Sequence, residues 1–182
     1  MSRGRRVVSC LVSAALAVSL AACGSNPVVD STPVTPPPPT PPPPQVVAQQ
    51  SGVSVPVGYA FGAYFDISAT GTIDATVDYT YADTLMLVWL AKGRCTEEAF
   101  AADQCQYVAT SLTGPKPRKV SASGQAAGTY SLVFGSLGPK DESVSYQVVF
   151  TQTATSGGAP AASTRRPAEP GFLTRLPATA RP

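Results

Sequence analysis

Residues 71–80 read Gly-Thr-Ile-Asp-Ala-Thr-Val-Asp-Tyr-Thr. Ile73, Ala75, Val77 and Tyr79 alternate with Asp74, Thr76, Asp78 and Thr80. A period of two sends the two sets to opposite sides of an extended chain, so this segment is a strand with one dry face and one wet face. The same period appears on both sides of it. Downstream, Val144, Tyr146, Val148 and Phe150 occupy every second position; upstream, Val53, Val55, Val57, Tyr59, Phe61, Phe65 and Ile67 do so. Leu85 to Leu90 is apolar throughout, as expected of a strand covered on both faces. Segments 107–112, 118–122, 129–135 and 143–153 complete the set, and turn residues separate them at Ala69-Thr70-Gly71, Thr113-Gly114-Pro115, Ser123-Gly124 and Gly138-Pro139. No segment carries a convincing helical period. Seven or eight short strands predict an all-β fold, an antiparallel β-sandwich of jelly-roll type, with a closed barrel as the other solution. Phe65, Tyr79, Trp89, Tyr130, Phe134, Tyr146 and Phe150 are the expected core aromatics.

Part of this region resembles the bacterial pre-peptidase C-terminal type of β-sandwich and related jelly-roll accessory modules. The resemblance rests on 71–79, on Asp83-Thr-Leu-Met-Leu-Val-Trp89, on Gly128-Thr-Tyr-Ser-Leu-Val-Phe134 and on Glu142-Ser-Val-Ser-Tyr-Gln-Val-Val-Phe150. The aspartate pair usual before the apolar strand is reduced to Asp83, and no peptidase domain precedes the module. The resemblance implies a binding or targeting accessory.

The chain begins differently. Arg3, Arg5 and Arg6 precede Val7 to Ala22, which carries no charge. That is the layout of a secretory signal, and the run is shorter than the roughly 20 residues a membrane-spanning helix needs. It ends in Leu20-Ala21-Ala22-Cys23-Gly24-Ser25, which resembles the lipobox of bacterial lipoproteins. The resemblance implies that 1–22 is a signal peptide and that Cys23 is lipidated, becoming the first residue of the mature chain. It further implies an exported protein held to the cell envelope through acyl chains such as palmitate. With no aspartate after the cysteine, the site would be the outer membrane in a host that has two. Residues 23–52 are then the lipidated cysteine and a linker containing ten prolines between Pro27 and Pro44, an extended spacer.

With Cys10 in the signal and Cys23 at its end, Cys95 and Cys105 remain, and an even remainder in an exported domain favours a disulfide. The domain is expected over 53–155. Residues 156–182, rich in Ala, Thr and Pro, are expected to be a disordered tail, with four arginines against one glutamate. The domain has the opposite balance, six cationic against nine acidic side chains.

Composition limits the chemistry. The 182 residues include no histidine, which excludes a Ser-His-Asp triad, a Cys-His pair and His-ligated zinc or haem. A net charge of +2 does not suggest nucleic acid as a partner. Asp74 and Asp78 share a strand face about 13 Å apart, too far for a glycosidase pair. Asp66, Asp78 and Asp83 lie near strand ends, where oxygen ligands could meet calcium, but they show no EF-hand spacing. We therefore expect no catalytic residues, no metal site and no cofactor. The expected function is a lipid-anchored envelope module that binds or supports, with a protein or carbohydrate ligand. The other reading is a small envelope hydrolase, enzyme inhibitor or accessory domain. Tyr59, Tyr64, Tyr81 and Tyr107 are the candidate binding residues, since exposed aromatics on one sheet face would mark such a surface.

Overall fold

A computed structural model describes residues 42–153, 169 and 171–178, all within one compact unit, Pro38–Pro182. The signal, Cys23 and most of the proline linker lie outside the described residues, as does most of the tail.

Among the described residues nine strands and one short helix follow in order: β1 (Gln45–Val55), β2 (Tyr59–Ile67), β3 (Gly71–Tyr79), β4 (Met86–Lys92), α1 (Glu97–Ala101), β5 (Gln106–Ser111), β6 (Arg118–Gln125), β7 (Gly128–Ser136), β8 (Glu142–Gln152) and β9 (Leu173–Arg175). They form two antiparallel sheets, ordered β1-β8-β3-β6 and β5-β4-β7-β2-β9. The order 1-8-3-6 facing 5-4-7-2 is that of a jelly roll, two sheets that close on each other through crossing connections. β9 is an addition at the β2 edge.

The alternation in 71–80 decides the packing as expected. Ile73, Ala75, Val77 and Tyr79 are buried against the opposite sheet, while Asp74 and Asp78 face solvent. β8 repeats this with Val144, Tyr146, Val148 and Phe150 inside. β4 is buried on both sides. Met86, Val88 and Leu90 enter the core between the sheets, and Leu87, Trp89 and Ala91 enter a second apolar cluster on the outer face of the five-stranded sheet. Trp89 thus belongs to that second cluster, whereas the other six expected core aromatics lie between the sheets.

Three boundaries differ from expectation. β1 starts at Gln45, inside the expected linker, because the proline run stops at Pro44 and 45–55 pairs with β8. The polar run Gln49-Gln50-Ser51-Gly52 that reads as linker is the wet part of an edge strand, with a bulge between Gln50 and Val53. The alternating run 53–67 is not one strand. It turns at Pro56-Val57-Gly58, where Gly58 has φ 77° and Val57 is exposed. Finally, 171–178 of the expected disordered tail is ordered, because Phe172, Thr174 and Leu176 bury against β2 and β7.

Candidate functional site

The outer face of the five-stranded sheet is built for covering. Two glycines open it: a Cβ added at Gly62 on β2 would overlap the ring of Phe172, and one added at Gly135 on β7 would come within 2.8 Å of Leu176. Phe172 and Leu176 fill these two hollows. Between them β9 pairs Leu173, Thr174 and Arg175 with Phe61, Ala60 and Tyr59. The Gly62 amide donates to the Phe172 carbonyl at 2.9 Å, and the Leu176 amide donates to the Gly58 carbonyl at 2.8 Å. Residues 171–177 therefore lie along the β2 edge as a strap.

The rest of the cover comes from the β4–β5 connection. Thr96 caps α1, its hydroxyl accepting from the Ala99 amide at 3.3 Å, and Glu97 and Glu98 occupy the first turn, where carboxylates suit the helix dipole. The Glu98 carboxyl is held below its usual range by its own amide and by the Thr96 hydroxyl. The expected Cys95–Cys105 disulfide is formed, with α-carbons 5.3 Å apart, and it closes the base of this connection. Phe100, the buried residue of the helix, sets its ring 5.3 Å from Trp89 edge-on and 6.1 Å from Phe172. Ser131 ties the connection down, donating to the Gly93 carbonyl at 2.7 Å and accepting from the Cys95 amide at 2.9 Å.

Tyr64 sits beneath both covers. Its hydroxyl donates to the Cys95 carbonyl at 3.1 Å, its ring lies 4.3 Å under the Arg94 guanidinium, and Phe172 packs beside it. Burial pushes its pKa above 10.0, with Arg94 partly opposing. Arg94 in turn meets Glu169 at 2.7 Å, with both side chains more than half exposed.

The other three candidate tyrosines do not join it on one exposed surface. Tyr107 is half-buried on β5, on the same sheet face but three strands away, roughly 14 Å across the sheet. Tyr59 is half-buried at the start of β2 with Arg175 5.9 Å from its ring. Tyr81 is exposed in the β3–β4 connection with Lys140 5.0 Å from its ring. The three aspartates considered for calcium are also separated. Asp66 accepts from Thr129 at the far end of β2, while Asp78 and Asp83 belong to the opposite end of the sandwich. Among the described residues no group of three metal-ligating side chains occurs.

That opposite end holds two buried charges. Glu142 accepts from the amides of Thr80 at 2.8 Å and Tyr81 at 3.1 Å, and from the Thr84 hydroxyl. It thereby organises the β3–β4 connection. Arg118 donates through Nε to the Met86 carbonyl at 2.8 Å, bridging the sheets, and its two terminal nitrogens have no hydrogen-bond partner among the described residues.

Among the described residues nothing covers the outer face of the four-stranded sheet. Cross-strand register places Gln49, Gln147, Thr76 and Lys119 in one row, with Asp78 beside Ser145 in the next. Gln49, Ser51, Thr76, Asp78, Ser145, Tyr146 and Gln147 line a shallow depression of about 380 Å³. Sequence reasoning followed aromatic residues and passed over this row. Its signal was the wet half of the alternation in β3 and β8. The chain matches no protein-family model and no curated protein.

Proposed function

We propose that this chain is a lipid-anchored envelope lipoprotein that displays a jelly-roll module, and that the open face of the four-stranded sheet is its contact surface. The row Gln49, Gln147, Thr76 and Lys119 carries the reading. One outer face of the sandwich is covered by the chain's own helix and strap, and the other presents amides, hydroxyls, the carboxylates of Asp74 and Asp78 and the amine of Lys119 across its four strands. Such a face offers many donors and acceptors. It suits a polar, hydroxyl-rich partner such as an envelope glycan better than an apolar protein hot spot, which wants buried aromatic anchors. The depression is open and lined by a single carboxylate, Asp78, which supports contact rather than reaction.

Two experiments test the two halves of the reading. Radiolabelled palmitate should enter the wild-type chain and not the Cys23→Ala variant; equal labelling of both would remove the anchor. Cosedimentation of the purified chain with isolated envelope polysaccharide should be lost in the Gln49→Ala, Thr76→Ala, Gln147→Ala triple variant. Retention equal to wild type would remove the contact surface.

A further inference from the structure

The strap is seated in a groove of its own domain, and every feature that seats it is local to nine residues. Glu169 meets Arg94, Phe172 fills the Gly62 hollow beside Phe100 and Tyr64, β9 pairs with the β2 edge, and Leu176 fills the Gly135 hollow. We propose that this groove is a peptide-docking site that also accepts the Glu169–Pro177 segment of a second copy, so that neighbouring molecules exchange straps.

The argument is one of fit and reach. The groove is shown to match this segment, and a second copy brings the identical segment with identical contacts. Only three residues pair as strand, and the Arg94–Glu169 ion pair is largely exposed, so release breaks few bonds at a time. The connection is longer than the cis arrangement requires. The Thr153 amide donates to the Thr70 carbonyl, in the turn that follows β2, and Glu169 bridges Tyr64 near that same end of β2. The two ends are thus separated by about the thickness of a sandwich, of order 10–20 Å. The fifteen residues 154–168 can span about 50 Å when extended. The excess length lets the segment reach a neighbour's groove without disturbing the sandwich. Effective concentration favours the copy's own groove in dilute solution, and close packing of molecules shifts the balance toward exchange. The β2 edge that receives the strap is also the kind of edge to which an extended peptide adds as a strand.

The full chain provides the test. In the Arg94→Lys variant the introduced amine meets the Glu169 carboxylate, and a carbodiimide couples the two. Light and heavy isotope-labelled copies are mixed, incubated at rising concentration, coupled and digested. Exchange predicts linked peptides that pair one light with one heavy partner, their share rising with concentration. Linked peptides pairing only like isotopes at every concentration would overturn the proposal. A second arm mixes a groove-blocked donor, Gly62→Val, with a strap-dead acceptor, Phe172→Ser with Leu176→Ser. The mixture should shift from monomer to dimer mass by light scattering, and the shift should vanish when the donor also carries Phe172→Ser. A mixture that stays at monomer mass, with both variants retaining native Trp89 emission, would count against the proposal equally.

Discussion

The ring of Phe172 occupies the space that a side chain on Gly62 would need, so a residue near the end of the chain is fitted to the absence of a side chain on the second strand. The contact is specific in both directions. Any β-carbon at Gly62 displaces the ring, and any smaller residue at 172 leaves the hollow between Tyr64 and Phe100 unfilled.

Gly62→Val is therefore expected to lower stability by about 1–3 kcal/mol, the usual cost of forcing bulk into a packed site. The loss should be confined to the strap. Amides of 173–176 should lose hydrogen-exchange protection while those of β3 and β8 keep theirs. Uniform loss of protection would show that the strap is integral to the inner core.

Removing the disulfide by Cys95→Ser with Cys105→Ser should cost about 2–3 kcal/mol, given a sequence separation of 10. The release should also be visible locally. Phe100 withdraws from the Trp89 indole, so native-state Trp89 emission shifts to longer wavelength before global unfolding in a urea titration.

The two buried charges at the loop end should respond unequally. Glu142→Ala strands the Thr80 and Tyr81 amides and the Thr84 hydroxyl, and should cost about 3 kcal/mol. Arg118→Met strands only the Met86 carbonyl and removes terminal nitrogens that have no partner among the described residues, so it should cost less, about 1 kcal/mol. Comparison of the two urea midpoints with wild type checks the order: Glu142→Ala should lower it more than Arg118→Met does.

Alkali should unfold the protein at a defined edge. Burial raises the pKa of Tyr64, Tyr79, Tyr107, Tyr130 and Tyr146 above 10.0, so each keeps its proton longer when folded than when unfolded. Their contribution is fully present below 10.0 and is lost as pH rises through the folded values. The thermal midpoint should hold level from neutral pH to about 10 and then fall. In Tyr130→Phe, which also removes the hydroxyl bonded to the Ala126 carbonyl, the alkaline fall should be shallower.

The sandwich was legible because its inner strands carry a clean signal. A strand with one wet face must alternate, as β3 and β8 do, and a strand covered twice must be apolar throughout, as β4 is. What escaped was decided at long range. The start of β1 reads as linker because an edge strand with a bulge carries polar residues without strict alternation. α1 has too few turns for a period, though Thr96 followed by Glu97 and Glu98 is a helix-start signal. β9 is three residues, and two of its hollows are glycines, which leave no mark in an apolar pattern. Tyr64 belongs to the outer parity of β2 and so reads as a surface residue. Its cover comes from Arg94 and Cys95 and from residues 169 and 172, all far along the chain.

The pairing of β1 with β8 sets Gln45 opposite Phe150. Among the described residues the four-stranded sheet is finished only when segments from the two ends of the domain meet. Folding of such non-local β topologies takes milliseconds to seconds. Until β5 and β7 pair with it and both of its faces are packed, Leu85 to Leu90 is an uncharged window able to pair with its like in another unfolded molecule. The yield of native protein on refolding is thus expected to fall as its concentration rises, through pairing of one exposed fourth strand with another.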